Sequence, residues 1–265
     1  MLIVAVAGAS GRMGHMLVEA VLVSADCQLT GALDLASSAA IGLDAGAFLG
    51  RVTGTLVTAD LHAGLAGADV LIDFTRPQGT LEHLAVCRLL GVRAVVGTTG
   101  FSVAQRAAIA AHAEQVATVL APNMSVGINL MLRLLDTAAR ALGEGYDIEV
   151  VESHHKHKVD APSGTALAMG EVLAQARGVA LETHGVFSRH GHTGERPPGA
   201  IGFAALRGGD IVGDHSVVFA GTGERIEITH RSSSRANYAA GSLLAARFLH
   251  GRAAGLYGMD QVLGL

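Results

Sequence analysis

Apolar positions in the first half of the chain fall in short unbroken runs, separated by stretches of helical spacing. Leu2 to Ala7 is such a run, rich in Val and Ile, the pattern of a strand buried on both faces. Gln28 to Leu33, Ala68 to Phe74, Ala94 to Gly97 and Ala117 to Ala121 repeat it. Between them Met16 to Val21, Gln78 to Leu90 and Val103 to Gln115 read as helices. This alternation predicts a doubly wound parallel sheet, whose ligands sit at the carboxyl ends of the strands. Near Ser125 the pattern changes. A helix from Val126 to about Leu142 leads to a strand, Asp147 to Ser153, and a helix, Gly164 to Ala176. Then come Gly- and Pro-rich loops and three alternating runs: Ile201 to Arg207, Ile211 to Ala220 and Arg225 to Arg231. These are expected to be antiparallel strands of a mixed sheet. A final helix, about Ser234 to Leu249, is placed to return to the first domain.

The first strand ends in Gly8-Ala9-Ser10-Gly11-Arg12-Met13-Gly14 and runs straight into a helix. Strand, glycine turn, helix is the context that phosphate binding requires: Gly8 for the tight turn, Gly11 for approach to a pyrophosphate, Gly14 for packing of helix on sheet. The second strand ends at Asp34, twenty positions beyond Gly14, where an acidic residue accepts hydrogen bonds from ribose hydroxyls. Three more strand ends carry turn chemistry: Asp73-Phe74-Thr75, Gly97-Thr98-Thr99-Gly100-Phe101 and Ala121-Pro122-Asn123-Met124. Gly97 and Gly100 let backbone approach a flat ring, and Thr98 and Thr99 offer hydroxyls. Together they point to a nicotinamide and ribose surface. The expected class is α/β. A Rossmann doubly wound parallel sheet forms a dinucleotide-binding domain over 1–125, with 235–265 returning to it. A smaller α+β domain with a mixed sheet is expected over 126–234.

Chemistry is densest in Glu152 through Thr165. His154-His155-His157 and Lys156-Lys158 crowd five positions, and Asp160 and Ser163 are N-cap residue types before a helix that Pro162 suits. Proton donors beside a helix N-terminus, which favours an anion, describe a site that holds a carboxylate and supplies protons. Two plainer readings stand beside this one. A solvated basic loop has the same composition. A metal site would use His154 and His157, but no Cys or carboxylate completes a ligand spacing and two lysines repel a cation.

Composition narrows the classes. At 265 residues there is length for a real core, and 35 glycines fit many close turns. A formal charge of −4 argues against a nucleic-acid partner. Cys27 and Cys87 read as buried free thiols of a reducing compartment, which places the protein in the cytoplasm. The amino-terminal apolar run lacks a basic region and is cut at Gly8, so it is not read as a signal peptide. Gln115 to Leu132 carries no charge, but Pro122, Asn123, Ser125, Gly127 and Asn129 break it into strand, loop and helix rather than a membrane span.

These segments, and above all Glu152 to Thr165, resemble the 4-hydroxy-tetrahydrodipicolinate (dihydrodipicolinate) reductase family over essentially the whole chain. The resemblance implies a Rossmann domain, a substrate and assembly domain, and a homotetramer joined through the sheet. It implies that His154 is the proton donor and acceptor, Lys158 a proton donor, and His155 a substrate contact, with Ser163, Gly164 and Thr165 holding a carboxylate. The cofactor, NADH or NADPH, would lie on Gly8, Ala9, Ser10, Gly11, Arg12, Met13, Asp34, Gly97, Thr98, Thr99, Ala121, Pro122, Asn123 and Met124. Family members that accept NADPH often carry Arg after the acidic residue. Leu35 stands there in this chain, so NADH is the expected preference. The alternative is a nicotinamide-binding redox sensor without turnover, or another Rossmann reductase of a small dicarboxylate; a sensor has no use for His154 and Lys158 beside an anion site.

Overall fold

The computed structural model describes residues 1–265, and contacts divide them into two units, Met1–Val126 with Arg235–Leu265, and Gly127–Ser234. The first unit begins with β1 (Leu2–Ala7), α1 (Arg12–Val23), β2 (Cys27–Leu33), β3 (Val57–Thr58), α2 (Leu61–Leu65), β4 (Val70–Asp73), α3 (Pro77–Leu90), β5 (Arg93–Val96), α4 (Val103–Ala113) and β6 (Thr118–Leu120). Its strands lie in the order β6-β5-β4-β1-β2-β3, all parallel. From β1 the chain winds outward through β2 and β3, then returns to start β4 on the other side of β1. The carboxyl ends of β1 and β4, where Ala7 pairs with Asp73, therefore form the switch point at which such sheets bind ligands.

Burial explains why these strands read as unbroken apolar runs. All four residues of β4 are buried, because helices cover both faces of the sheet. Val4, Val6, Val70, Ile72, Val95 and Val119 belong to the larger cluster, with Leu17, Val18 and Val21 of α1. Ala5, Ala7, Leu33 and Leu71 face the other way, toward Leu65 of α2 and Cys87 of α3. Cys27 and Cys87 are both free and buried.

The second unit holds α5 (Val126–Leu142), β7 (Asp147–His154), α6 (Gly164–Ala176), α7 (Leu181–His184), β8 (Gly185–Val186), β9 (Ile201–Arg207), β10 (Gly213–Ala220) and β11 (Arg225–Ser232). Its sheet runs β11-β10-β7-β9-β8. One expectation fails here. The run Ile201 to Arg207 pairs parallel to both β7 and β8, and only β7-β10 and β10-β11 are antiparallel. The reason is connectivity: α6 carries the chain across the sheet between β7 and β9, and a helical crossover returns the next strand in the same direction. Ile148, Val150, Ile201, Phe203, Val217 and Phe219 fill one face against Met131 and Leu135 of α5 and Met169 and Leu173 of α6.

The chain then re-enters the first unit as α8 (Ala236–Leu249), β12 (Leu256–Tyr257) and α9 (Met259–Leu263), with β12 extending the parallel sheet beside β6. α8 packs on α1, and Arg247 grips the Asp26 carboxylate at 2.7 Å. The uncharged stretch from Gln115 resolves into β6, a loop and α5, and no helix is long and apolar enough to cross a membrane.

Candidate active site

The glycine turn between β1 and α1 is built as its spacing requires. Gly8 adopts φ +67°, the left-handed region that favours glycine. A Cβ on Gly14 would lie 2.0 Å from the Gly8 carbonyl oxygen, so no side chain fits where α1 packs on the turn. Gly11 caps α1 without a side-chain hydrogen bond, leaving the first-turn amides at Arg12 and Met13 to an anion. Ala9 is buried and donates its N–H to Leu33 at 2.9 Å. At the end of β2 the Asp34 carboxylate accepts the Ser10 N–H at 2.8 Å and hydroxyl at 2.6 Å, and the Leu35 N–H at 2.8 Å. The acidic residue thus ties the glycine turn to the end of β2. These features fit a dinucleotide: a turn with no room for a Cβ at Gly14, an uncapped helix start, and a carboxylate at the second strand end.

The other strand ends of this unit are more structural than expected. Asp73 is fully buried and accepts from Thr75 N–H at 2.8 Å, Thr75 Oγ1 at 2.6 Å and His83 Nδ1 at 2.8 Å. Burial pushes this carboxyl up, but His83 and Thr75 outweigh it and hold the pKa below the usual range. Thr98 is buried with its hydroxyl against Thr80 at 2.9 Å, whereas Thr99 is exposed. The flat ring that approaches Gly97 belongs to the chain itself: a Cβ there would sit 2.3 Å from the Phe74 ring. Ala121 is buried, Pro122 is exposed, and Asn123 accepts the Ser125 N–H at 2.9 Å. Met124 is fully buried in the core.

In the second unit, strand alternation assembles a polar centre at the end of an apolar face. Residues 148, 150, 152 and 154 of β7 point one way. Ile148 and Val150 fill the core, and Glu152 and His154 continue the same face as buried polar groups. The parallel register sets Arg207 of β9 beside His154, and the antiparallel register sets His215 of β10 beside Glu152. Arg207 forks onto Glu152 with both contacts at 2.7 Å. His154 Nδ1 meets the same carboxylate at 2.6 Å, and the Ser163 N–H donates to it at 3.1 Å. With Nδ1–H held by the carboxylate, Nε2 is the nitrogen left for chemistry. A Cβ on Gly213 would lie 3.0 Å from that Nε2. Burial pushes the Glu152 carboxyl up, yet Arg207 and His154 more than offset it, so the group stays ionised.

Ser163 is the N-cap of α6, its hydroxyl accepting the Ala166 N–H at 3.1 Å. Gly164 is exposed and Thr165 half-buried in the first turn. Asp160 does not cap the helix. Its carboxylate binds the Lys158 ammonium at 2.8 and 2.9 Å, which lowers the Asp160 pKa. Half-buried His155 lies 6.2 Å from the exposed His157 ring. The structure therefore brings together His154, Ser163 and the α6 start around Glu152 and places Lys158 on Asp160. Sequence reading missed Arg207 and His215. Each sits on the core face of its strand among apolar residues, and that alternation was the one available signal.

A Rossmann sheet with its glycine turn, and a separate unit whose buried carboxylate aims a histidine beside a helix N-terminus, define a pyridine-nucleotide oxidoreductase. Residues 2–124 match the family described as dihydrodipicolinate reductase, N-terminus, and residues 127–263 its C-terminus. The chain belongs to the dihydrodipicolinate reductase family. It is 62% identical over 262 residues to the 4-hydroxy-tetrahydrodipicolinate reductase of Herminiimonas arsenicoxydans, covering 99% of this chain and 98% of that one. Identity to the Burkholderia multivorans enzyme of that name is 61%, with 99% of each covered. Among solved structures, dipicolinate-bound dihydrodipicolinate reductase from Paenisporosarcina sp. TG-14 superposes with a TM-score of 0.76 at 25% identity, over 97% of both chains. The Corynebacterium glutamicum DAP dehydrogenase shares the fold, with a TM-score of 0.56 at 14% identity, 99% of this chain and 95% of that one being covered.

Proposed function

We propose that the protein reduces 4-hydroxy-tetrahydrodipicolinate to tetrahydrodipicolinate in lysine and diaminopimelate biosynthesis, with His154 and Lys158 as its proton-handling pair. The observation that carries the reading is the Glu152–His154 contact at 2.6 Å, buried beside the N-cap of α6. A reduced nicotinamide, when bound, supplies a hydride to the conjugated ring left after loss of water. The chain's own residues do the rest. Ser163, Gly164 and Thr165, at a helix start whose dipole favours negative charge, hold one substrate carboxylate, and His155 contacts the substrate. Glu152 fixes the His154 tautomer, so that a proton is given or taken at Nε2. Lys158 leaves Asp160 to deliver charge and a proton near the dicarboxylate. The cofactor rests on Gly8, Ala9, Ser10, Gly11, Arg12 and Met13, with Asp34 at the ribose. Gly97, Thr98, Thr99, Ala121, Pro122, Asn123 and Met124 line the strand ends around it.

NADH is the preferred cofactor in this account, because Asp34 repels a 2′-phosphate and the exposed Leu35 carries no charge to neutralise it. The sheet face of the second unit opposite its core presents Val151, Val218 and an exposed Leu206. These apolar side chains, set among polar ones such as Ser216 and Thr229, support a homotetramer closed through this sheet. The buried thiols, that of Cys87 pushed up to about 12 by burial, suit the cytoplasm. Following NADH absorbance with 4-hydroxy-tetrahydrodipicolinate, with and without a chelator, tests the reading. Oxidation that needs the dicarboxylate and survives chelation is expected. No oxidation would leave a nucleotide-binding sensor, and loss on chelation would restore the metal reading.

A further inference from the structure

His215 has no part in the chemistry above, yet it is 4% exposed and touches two of its members. Its Nε2 lies 3.0 Å from Ser163 Oγ, and its ring meets His154 edge-on at 5.1 Å between centroids. Its Nδ1 is buried with no hydrogen-bond partner. Neutral imidazole carries one N–H, so two tautomers compete. A proton on Nδ1 would bury an N–H donor with no acceptor, whereas a proton on Nε2 leaves only an unused lone pair at Nδ1. Buried orphan donors are the rarer and costlier case.

We propose that His215 is a positioning residue that donates Nε2–H to Ser163 Oγ and so turns the Ser163 hydroxyl into a donor toward the substrate carboxylate. The count of bonds at Ser163 makes the argument. A hydroxyl has two acceptor sites and one hydrogen. The Ala166 N–H fills one acceptor site at 3.1 Å, and His215 fills the other. The O–H cannot then point back into the protein's own donors and is directed to an incoming anion. Burial, with the charge of His154 next, lowers the His215 pKa to about 4, which keeps the ring neutral at working pH. The opposite tautomer would turn Ser163 inward, as a donor to His215, and remove it from substrate binding.

The inference rests on the substrate reading of the α6 start, and the test separates the two. Dipicolinate, a planar ring dicarboxylate, is the probe, titrated calorimetrically into the NADH-loaded enzyme. His215→Met, which removes the donor, is expected to weaken binding about tenfold and raise KM for substrate by a similar factor, with kcat within about twofold and NADH affinity unchanged. His215→Gln, whose amide reaches the Nε2 position, should recover most of the loss. In a Ser163→Ala background His215→Met should cost nothing further. Equal affinity for wild type and His215→Met, or an equal loss with and without Ser163, overturns the inference and leaves the substrate site standing. Failure of dipicolinate to bind wild type overturns both. Should His215→Met not fold, 15N spectra of histidine-labelled wild type still decide, with His215→Gln identifying the His215 signals by their loss: a protonated Nδ1 on His215 would contradict the proposal.

Discussion

Replacing Glu152 by Gln probes the hub of the second unit with one atom changed. The carboxylate is 1% exposed at the side chain and receives four donated bonds: two from Arg207 at 2.7 Å, one from His154 at 2.6 Å and one from Ser163 N–H at 3.1 Å. An amide keeps one acceptor oxygen and turns the other position into a donor facing donors. Arg207, 20% exposed at its side chain, loses its counter-charge. Stranding one member of a buried pair costs about 3–5 kcal/mol. Arg207 keeps the Asp160 and Leu206 carbonyls at 2.7 and 2.6 Å, so the lower end, about 3 kcal/mol, is expected. Urea unfolding followed by circular dichroism reads this loss. Because His154 also loses its orienting partner, kcat should fall about 10²-fold while NADH affinity holds. Replacing Glu152 and Arg207 together by Leu should cost less than the sum of the two single changes. A stability change under about 1 kcal/mol with normal turnover would refute the reasoning.

Lys158→Ala should lower kcat by about 10²–10⁴ and also raise KM, whereas Thr165→Val should act mainly through KM; steady-state kinetics at saturating NADH separate these effects, and a normal rate for Lys158→Ala removes it from the proton path. His215 takes up a proton at its ordinary 6.5 when unfolded but at about 4 when folded, so stability should decline as pH falls through that window, by about 3 kcal/mol in all. His215→Gln should flatten this decline in denaturation curves, and an unchanged slope would argue against a buried neutral ring. NADH should exceed NADPH about tenfold in kcat/KM, and the reverse order would show that Asp34 and Leu35 do not set the choice. Light scattering should give a tetramer's mass, and a stable monomer would leave the open sheet face unexplained.

The first unit was legible because parallel strands covered on both faces leave continuous apolar runs, as in β1 and β4, and because its glycine turn is local in sequence. The two-residue strands β3, β8 and β12 lack the length to show a pattern. β9 shows why direction escapes such reading: its alternation matches an antiparallel strand, and only the crossover through α6 reverses it. The histidine-rich segment stood out in the sequence as a candidate site, but its supports did not. Arg207 lies 55 residues from Glu152, and His215 lies 52 from Ser163. Sheet register brings Arg207 and His215 to the Glu152–His154 pair, and Ser163 joins them from the start of α6 through its N–H on Glu152. Gly97 carries the same lesson, since the ring it accommodates comes from Phe74 on the neighbouring strand's end.

In the proposed mechanism Glu152 aims His154 for proton transfer, and the turnover of His154→Ala reads that role. With NADH affinity measured alongside, kcat should fall about 10²–10⁴-fold while the cofactor binds as in wild type, because the glycine turn proposed to hold it belongs to the other unit. Near-normal turnover would reduce the buried carboxylate–histidine pair to a structural clasp and contradict the account.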